Sequence, residues 1–275
     1  MTATQPARTR GRIWFEALAG HDSTLRSCIP SLLVADVTLD GLKARLLAVV
    51  PDPNSRFPRA RNGEVGIEEG WNLAKQIRDL IRTDSATDKR AIVAIVDVPS
   101  QAYGRREESL GIFLAAGAAT DAFVSARLVG HPVISLIVGH AISGGFLTHG
   151  AQANRLIAFH DPGVTVHAMA KKAAAVVTRR TVQELDELAA IVIPLSYKID
   201  DYAKLGMLHK LIEEINPDSP TSEQIARVKA EVLAAIADAR SGPRDLSVRL
   251  ESEGARTNRR ATQEVRRRLA EQWHE

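Results

Sequence analysis

Apolar residues follow two rhythms along this chain, short continuous runs and helical spacings, and the two alternate. Runs rich in β-branched residues predict strands at Val34–Leu39, Leu42–Val50, Ala91–Val96, Pro132–Val138, Arg155–Phe159 and Gly163–Val166. Asp40-Gly41 between the first two reads as a tight turn. Helical spacing predicts a helix over Glu68–Arg82, with Trp71, Ala74, Ile77, Leu80 and Ile81 on one face, and a second over the alanine-rich Leu110–Leu128. Further helices are expected within Val182–Ile191, before Gly206 in Tyr197–Ile212, and over Glu223–Arg240. Strands alternating with helices of this length predict βαβ units and a mainly parallel sheet. Met1–Arg12 reads as a disordered basic arm before a short amphipathic piece, Ile13–Leu18. Pro51–Gly66, with its prolines, glycines and arginines, reads as a long exposed loop on one edge of the sheet.

The most informative stretch is VGHPVISLIVGHAISGGFLTHG, Val129–Gly150. Its apolar strand is expected to end at Gly139, followed by a sharp turn and a helix opening on Ser143, Gly144 and Gly145. Glycines at a helix start let consecutive N–H groups point at one oxygen, the arrangement that stabilises an enolate or tetrahedral oxyanion. The plain alternative is that both glycines only permit close packing of helix on sheet. A second polar turn, DVPSQAYGRREES from Asp97 to Ser109, leaves the preceding strand and carries Ser100, Gln101, Tyr103, Arg105 and Arg106. Open α/β sheets bind ligands at the carboxyl ends of their strands, so both turns should face one small pocket.

Composition narrows the function classes. Hydrophobic residues make up 45%, charged residues 25% and aromatic residues 4%, with a net charge of +3. So few aromatics argue against a single-stranded nucleic-acid platform. The lone cysteine, Cys28, excludes an internal disulfide framework, fits a reducing compartment and reads as a core filler. No apolar run reaches the length of a membrane span, and the expected location is the cytoplasm. His140, His149 and His167 are each able to protonate an enolate, although each taken alone is as well explained as structural, and no metal-ligand spacing occurs. Ala141-Ile-Ser143-Gly-Gly145 partly matches a nucleophile elbow, which keeps a serine hydrolase open with Asp161 and His167 as its nearest partners.

These residues carry a resemblance. An Asp-x-Pro turn (Asp97) followed on the next strand by a turn ending Ser143-Gly144-Gly145 resembles the carboxyltransferase branch of the crotonase-like superfamily. PDPNSRFPRARNGEVG, AIVDVPSQAYGRREES and GHPVISLIVGHAISGGFLTHG are similar to the gamma-subunit family of biotin-independent malonate decarboxylases, a likeness covering roughly residues 42–215. Where carboxyltransferases place a run of glycines, this chain has His140-Ala141-Ile142. The resemblance implies an α/β fold of repeated ββα units (the ClpP/crotonase spiral) with C-terminal helices. It also implies pairing with a homologous beta subunit and decarboxylation of a malonyl thioester on an acyl carrier protein. The substrate would ride on the carrier's phosphopantetheine-type thiol, with no cofactor bound by this chain and no nucleic acid or membrane as partner. An acyl-carrier-protein transferase subunit is a further expected partner. Backbone donors at Gly144 and Gly145 would be catalytic, and Ser100, Gln101, Tyr103, Arg105, Ser143, His140 and His167 would bind substrate. Alternatives are a carboxyltransferase subunit of a biotin-dependent system and a non-catalytic partner subunit. The expected organisation is an N-terminal arm and short helix (1–20), a crotonase-like domain (21–240) and a charged tail (241–275). In that tail, residues 244–275 hold eight arginines against six acids.

Overall fold

Asp40 and Gly41 take φ of 45° and 85°, a two-residue turn that joins β2 (Leu32–Leu39) to β3 (Leu42–Val49) as an antiparallel hairpin. The computed structural model describes residues 8–20, 23–26 and 29–273; Cys28 lies outside them. β1 (Thr24–Leu25) adds an antiparallel edge to β2, and every later pairing is parallel. β3 pairs β4 (Ala91–Val98), β4 pairs β5 (Val133–Ile142), β5 pairs β6 (Arg155–Phe159), and β6 pairs β8 (Lys210–Ile212). β7 (Thr165–His167) lies beside the far half of β5. The apolar runs of β4 and β5 are buried, as central strands covered on both faces require.

Helices make the crossovers. α2 (Ile67–Thr83) joins β3 to β4, and α3 (Arg105–Ser109) with α4 (Ile112–Leu128) joins β4 to β5. The six-residue α5 (Ser143–Thr148) follows β5 directly. Beyond β7 come α6 (Lys171–Thr178), α7 (Val182–Ile191) and α8 (Ile199–Lys204), and beyond β8 comes α9 (Ser222–Ser241). α10 (Val248–Glu251), α11 (Glu253–Asn258) and α12 (Arg260–Gln272) close the described chain.

Three expectations change. β5 runs through Gly139 rather than ending there. The Asp97 side chain lies over that glycine, where a Cβ would stand 2.1 Å from Asp97 Oδ1, so the residue is needed for clearance and not as a breaker. Pro51–Gly66 leaves the carboxyl end of an interior strand, not a sheet edge, and its Val65 bridges Gln101. At the N-terminus, the helix α1 (Arg10–Ala19) begins before Ile13 and packs into the main core. Trp14 is fully buried, donates from Nε1 to the Pro217 carbonyl at 3.0 Å and packs on Phe159 with ring centroids 4.6 Å apart.

Candidate active site

The two polar turns meet. Val65 N–H donates to the Ser100 carbonyl at 3.0 Å and Ala102 N–H to the Val65 carbonyl at 2.9 Å, so the loop after β3 braces the turn after β4. On the other side that turn presses on α5, where a Cβ at Gly145 would stand 2.3 Å from the Ser100 carbonyl oxygen. Only glycine permits this approach. The first N–H groups of a helix have no acceptor within it, and here Gly144 N–H donates to Gln101 Oε1 at 2.9 Å. Ser100 Oγ donates to the Gln101 carbonyl at 2.7 Å.

Asp97, near the end of β4, has a structural task. Its Oδ2 accepts Gly11 N–H at 3.1 Å and its Oδ1 accepts His140 N–H at 3.1 Å, tying α1 and β5 to β4 where the β4–β5 register shifts. The sequence marked this residue by its motif but not by this role.

α5 separates two cavities. Gln101, Gly144 and Thr148 open on a groove of roughly 570 Å³ whose far wall is α4, with Ile112, Phe113 and Ala116. Ser143 and His167 line a second cavity of roughly 240 Å³ with Tyr202 and Leu205. Leu147 borders both. Ser143 has φ of 62°, left-handed for a residue with a side chain, and it lines the second cavity and not the groove that Gly144 borders. His167 stacks on Tyr197 at 4.0 Å and 16°. Its Nδ1 lies 2.9 Å from the Met169 carbonyl, which also accepts the Tyr197 hydroxyl at 2.6 Å, and 3.1 Å from Met169 N–H. Nε2 is the ring nitrogen with no partner among the described residues. Burial, only partly opposed by the bond to Met169, holds the His167 pKa below its ordinary value, so the ring is neutral near pH 7.

The other expected residues lie outside both linings. Tyr103 is half exposed and Arg105 heads α3 on the surface. His140 is exposed, its Nδ1 2.9 Å from Thr165 Oγ1. His149 is fully enclosed with Nε2 3.1 Å from the Ile95 carbonyl, and burial pushes its pKa down to about 4. The groove-lining face of α4 was missed, although the chain advertises it by placing Phe113 and Leu114 on a helix with no polar face to spare.

The chain matches the family described as malonate decarboxylase gamma subunit over residues 60–273. It belongs to the malonate decarboxylase gamma-subunit family. A Pseudomonas malonate decarboxylase hetero-tetramer in complex with coenzyme A contains a chain 54% identical to this one, with a TM-score of 0.90 over 96% of this chain and 99% of that one. The MdcD-MdcE hetero-dimer from Pseudomonas gives 53% identity and a TM-score of 0.87 over 96% of this chain and 100% of its own. The malonyl-S-ACP:biotin-protein carboxyltransferase MADD of Malonomonas rubra is 35% identical over 195 residues, 69% of this chain and 66% of that protein. The transcarboxylase 12S subunit, at 18% identity and a TM-score of 0.56 over 78% of this chain and 36% of that one, shares the fold alone. That fold is the crotonase-like arrangement of the carboxyltransferases.

Within this family's frame the hydrolase triad has no geometry. Asp161 Oδ1 accepts Arg10 Nη1 at 2.7 Å and Gly163 N–H at 2.8 Å, and His167 Nδ1 is held by Met169 rather than by a carboxylate.

Proposed function

We propose that this chain, paired with a homologous beta chain, decarboxylates a malonyl group carried as a thioester on the phosphopantetheine-type thiol of an acyl carrier protein, yielding the acetyl thioester. The observation that carries the chemistry is that Gly144 N–H already holds a carbonyl-type oxygen, Gln101 Oε1, at 2.9 Å at the mouth of the groove. The thioester oxygen takes that place. Loss of carbon dioxide breaks the bond between the carboxylate and the α-carbon, and the electron pair moves into the thioester carbonyl. The charge that develops on oxygen is met by the N–H groups of Gly144 and Gly145, which are fixed before reaction and strengthen their hold as it proceeds. Once displaced, the Gln101 carboxamide is free to donate from Nε2 to the substrate carboxylate. His167 lines the cavity on the opposite side of α5 from this groove, so the proton taken up by the α-carbon comes from water in the groove and not from this ring.

The groove is open on its apolar flank. Phe113, Leu114 and Leu147 are 64%, 57% and 51% exposed, a patch that a beta chain would cover. We therefore expect the purified chain alone to be inactive and the pair with its beta chain to turn over malonyl-carrier thioester. Turnover by the lone chain would refute an interfacial site. Release of carbon dioxide without biotin separates this reading from the carboxyl transfer named for the Malonomonas relative. The carrier and an acyl-carrier-protein transferase subunit are further partners on this reading, and the setting is cytoplasmic. Among the described residues no helix is long and apolar enough to cross a membrane.

Decarboxylation of a malonyl thioester needs no acyl-enzyme, so Ser143→Ala is expected to keep most activity in the assembled complex. Gln101→Ala should lose about tenfold, the value of one hydrogen bond to a charged group. A serine-linked acyl adduct seen by mass spectrometry would reverse this assignment.

A further inference from the structure

Away from α5, the segment after α9 folds back over β6 and encloses a cleft of roughly 190 Å³ lined by Asn154, Arg155, His209, Arg249 and Ser252. The volume has room for several waters at about 30 Å³ each, or one small ion with its shell. Arg249 is 8% exposed and makes no salt bridge among the described residues. Its Nη1 donates to the Ala151 carbonyl at 2.8 Å and its Nη2 to the Ala153 carbonyl, while Nε is buried without a partner. Arg155 is buried with its Nε on Asp238. Arg259, whose Nη1 donates to the Arg249 carbonyl at 3.0 Å, adds a further cation with no carboxylate of its own among the described residues.

Beside Arg249 Nε, the lining offers a free amide donor and an imidazole that donates in one tautomer. Asn154 Oδ1 is taken by Val133 N–H at 2.9 Å, which turns its Nδ2 into the role of unpaired donor. Ser252 Oγ is already used, donating to the Gly206 carbonyl at 3.2 Å and accepting Ala255 N–H at 3.2 Å. His209 has its Nδ1 3.8 Å from Asp238, leaving Nε2 without a partner among the described residues. Burial lowers the Arg249 pKa to about 10, with Arg127 and Arg155 adding to the effect against an opposing contribution from Tyr202, and the group is still cationic at neutral pH. A buried guanidinium held only by carbonyl dipoles is costly, and an anion placed against it supplies the missing counter-charge.

We propose that this cleft binds a small oxyanion, a phosphate or a carboxylate of malonate size, which supplies the counter-charge to Arg249. Such an ion also fastens the C-terminal helices to the Gly206 turn. That turn, at φ of 72°, follows α8, whose Tyr202 lines the cavity beside His167 on its other face. The site is independent of the decarboxylase reading.

The test titrates the assembled beta–gamma complex with inorganic phosphate and, separately, with malonate, at ionic strength held constant with chloride, following melting temperature and heat of binding. At ten times the half-saturating concentration, the melting temperature should rise by about 3–5 °C. His209→Leu should raise the half-saturating concentration about tenfold, and Arg249→Met should abolish the shift. If Arg249→Met does not fold, His209→Leu decides alone. A response to phosphate identifies an inorganic or phosphorylated ligand, and a response to malonate alone identifies a carboxylate; either supports the site. No shift beyond the chloride control with either anion, or a shift unchanged in the variants that fold, overturns it.

Discussion

Gly145→Ala is expected to lower turnover of the assembled enzyme on the order of a hundredfold while the complex still forms. A Cβ there would lie 2.3 Å from the Ser100 carbonyl oxygen and 3.0 Å from Gln101 N, both backbone atoms that cannot swing aside. The Ser100 carbonyl is also pinned from behind by Val65 N–H at 3.0 Å. Relief therefore requires the whole turn after β4 to back away from α5 by about an ångström, carrying Gln101 with it away from Gly144. Misplacement on that scale is known to cost on the order of 10² in rate, and the overpacking itself costs about 1–3 kcal/mol of stability. Gly144→Ala is the informative comparison. Its Cβ would meet Gln101 Oε1 at 3.0 Å, the end of a side chain that can rotate, so the loss should be smaller. Turnover and co-purification with the beta chain measure the two effects separately. Full activity of Gly145→Ala in an intact complex would remove this contact from the mechanism.

The contrast between these glycines shows where sequence reading stops. The strands were legible because β4 and β5 are buried on both faces and therefore read as continuous β-branched runs. Gly139 was misread because a glycine in a strand looks the same whether it ends the strand or clears a side chain from a neighbour. The side chain in question, Asp97, is 42 positions away. The meeting of the two turns followed from strand topology alone. Which residues of each turn face the groove did not, because α3 begins at Arg105 and carries the chain outward, and because the left-handed Ser143 lines the cavity on the opposite side of α5 from the groove that Gly144 borders. The same limit applies to Arg249. A tail with eight arginines reads as solvated. That one of them is buried depends on carbonyl groups at Ala151 and Ala153, which only the fold brings to it. By contrast α12 has no buried residue and behaves as its composition suggests.

The largest stability effect is expected at Arg45, on the strand whose end leads into the loop bracing Gln101. Arg45 is fully buried and grips Asp36 with two parallel bonds, Nε to Oδ1 at 2.7 Å and Nη2 to Oδ2 at 2.8 Å. Its Nη1 donates to the Gln76 carbonyl at 2.8 Å, which ties the hairpin to α2, and lies 3.4 Å from Asp79. Arg45→Met should cost about 3–5 kcal/mol in urea denaturation, because it leaves two largely buried carboxylates short of their central partner. Arg26→Met touches the same carboxylates from a side chain 36% exposed and should cost less than about 1 kcal/mol. The pH profile provides the second readout. Burial raises the pKa values of Asp36, Asp79 and Asp84, but guanidinium hydrogen bonds, from Arg45 for Asp36, Arg82 for Asp79 and Arg90 for Asp84, outweigh it and hold all three below the ordinary range. Folded values below the unfolded value of about 3.9 mean that this stability is fully present above that pH and is lost as the pH falls through the folded values. Without Arg45 the Asp36 carboxyl rises toward its ordinary value, so acid unfolding should begin at higher pH than in the unaltered protein. Equal acid midpoints for the two proteins would show that Arg26 and Arg90 suffice to hold Asp36 ionised and that Arg45 acts by packing alone.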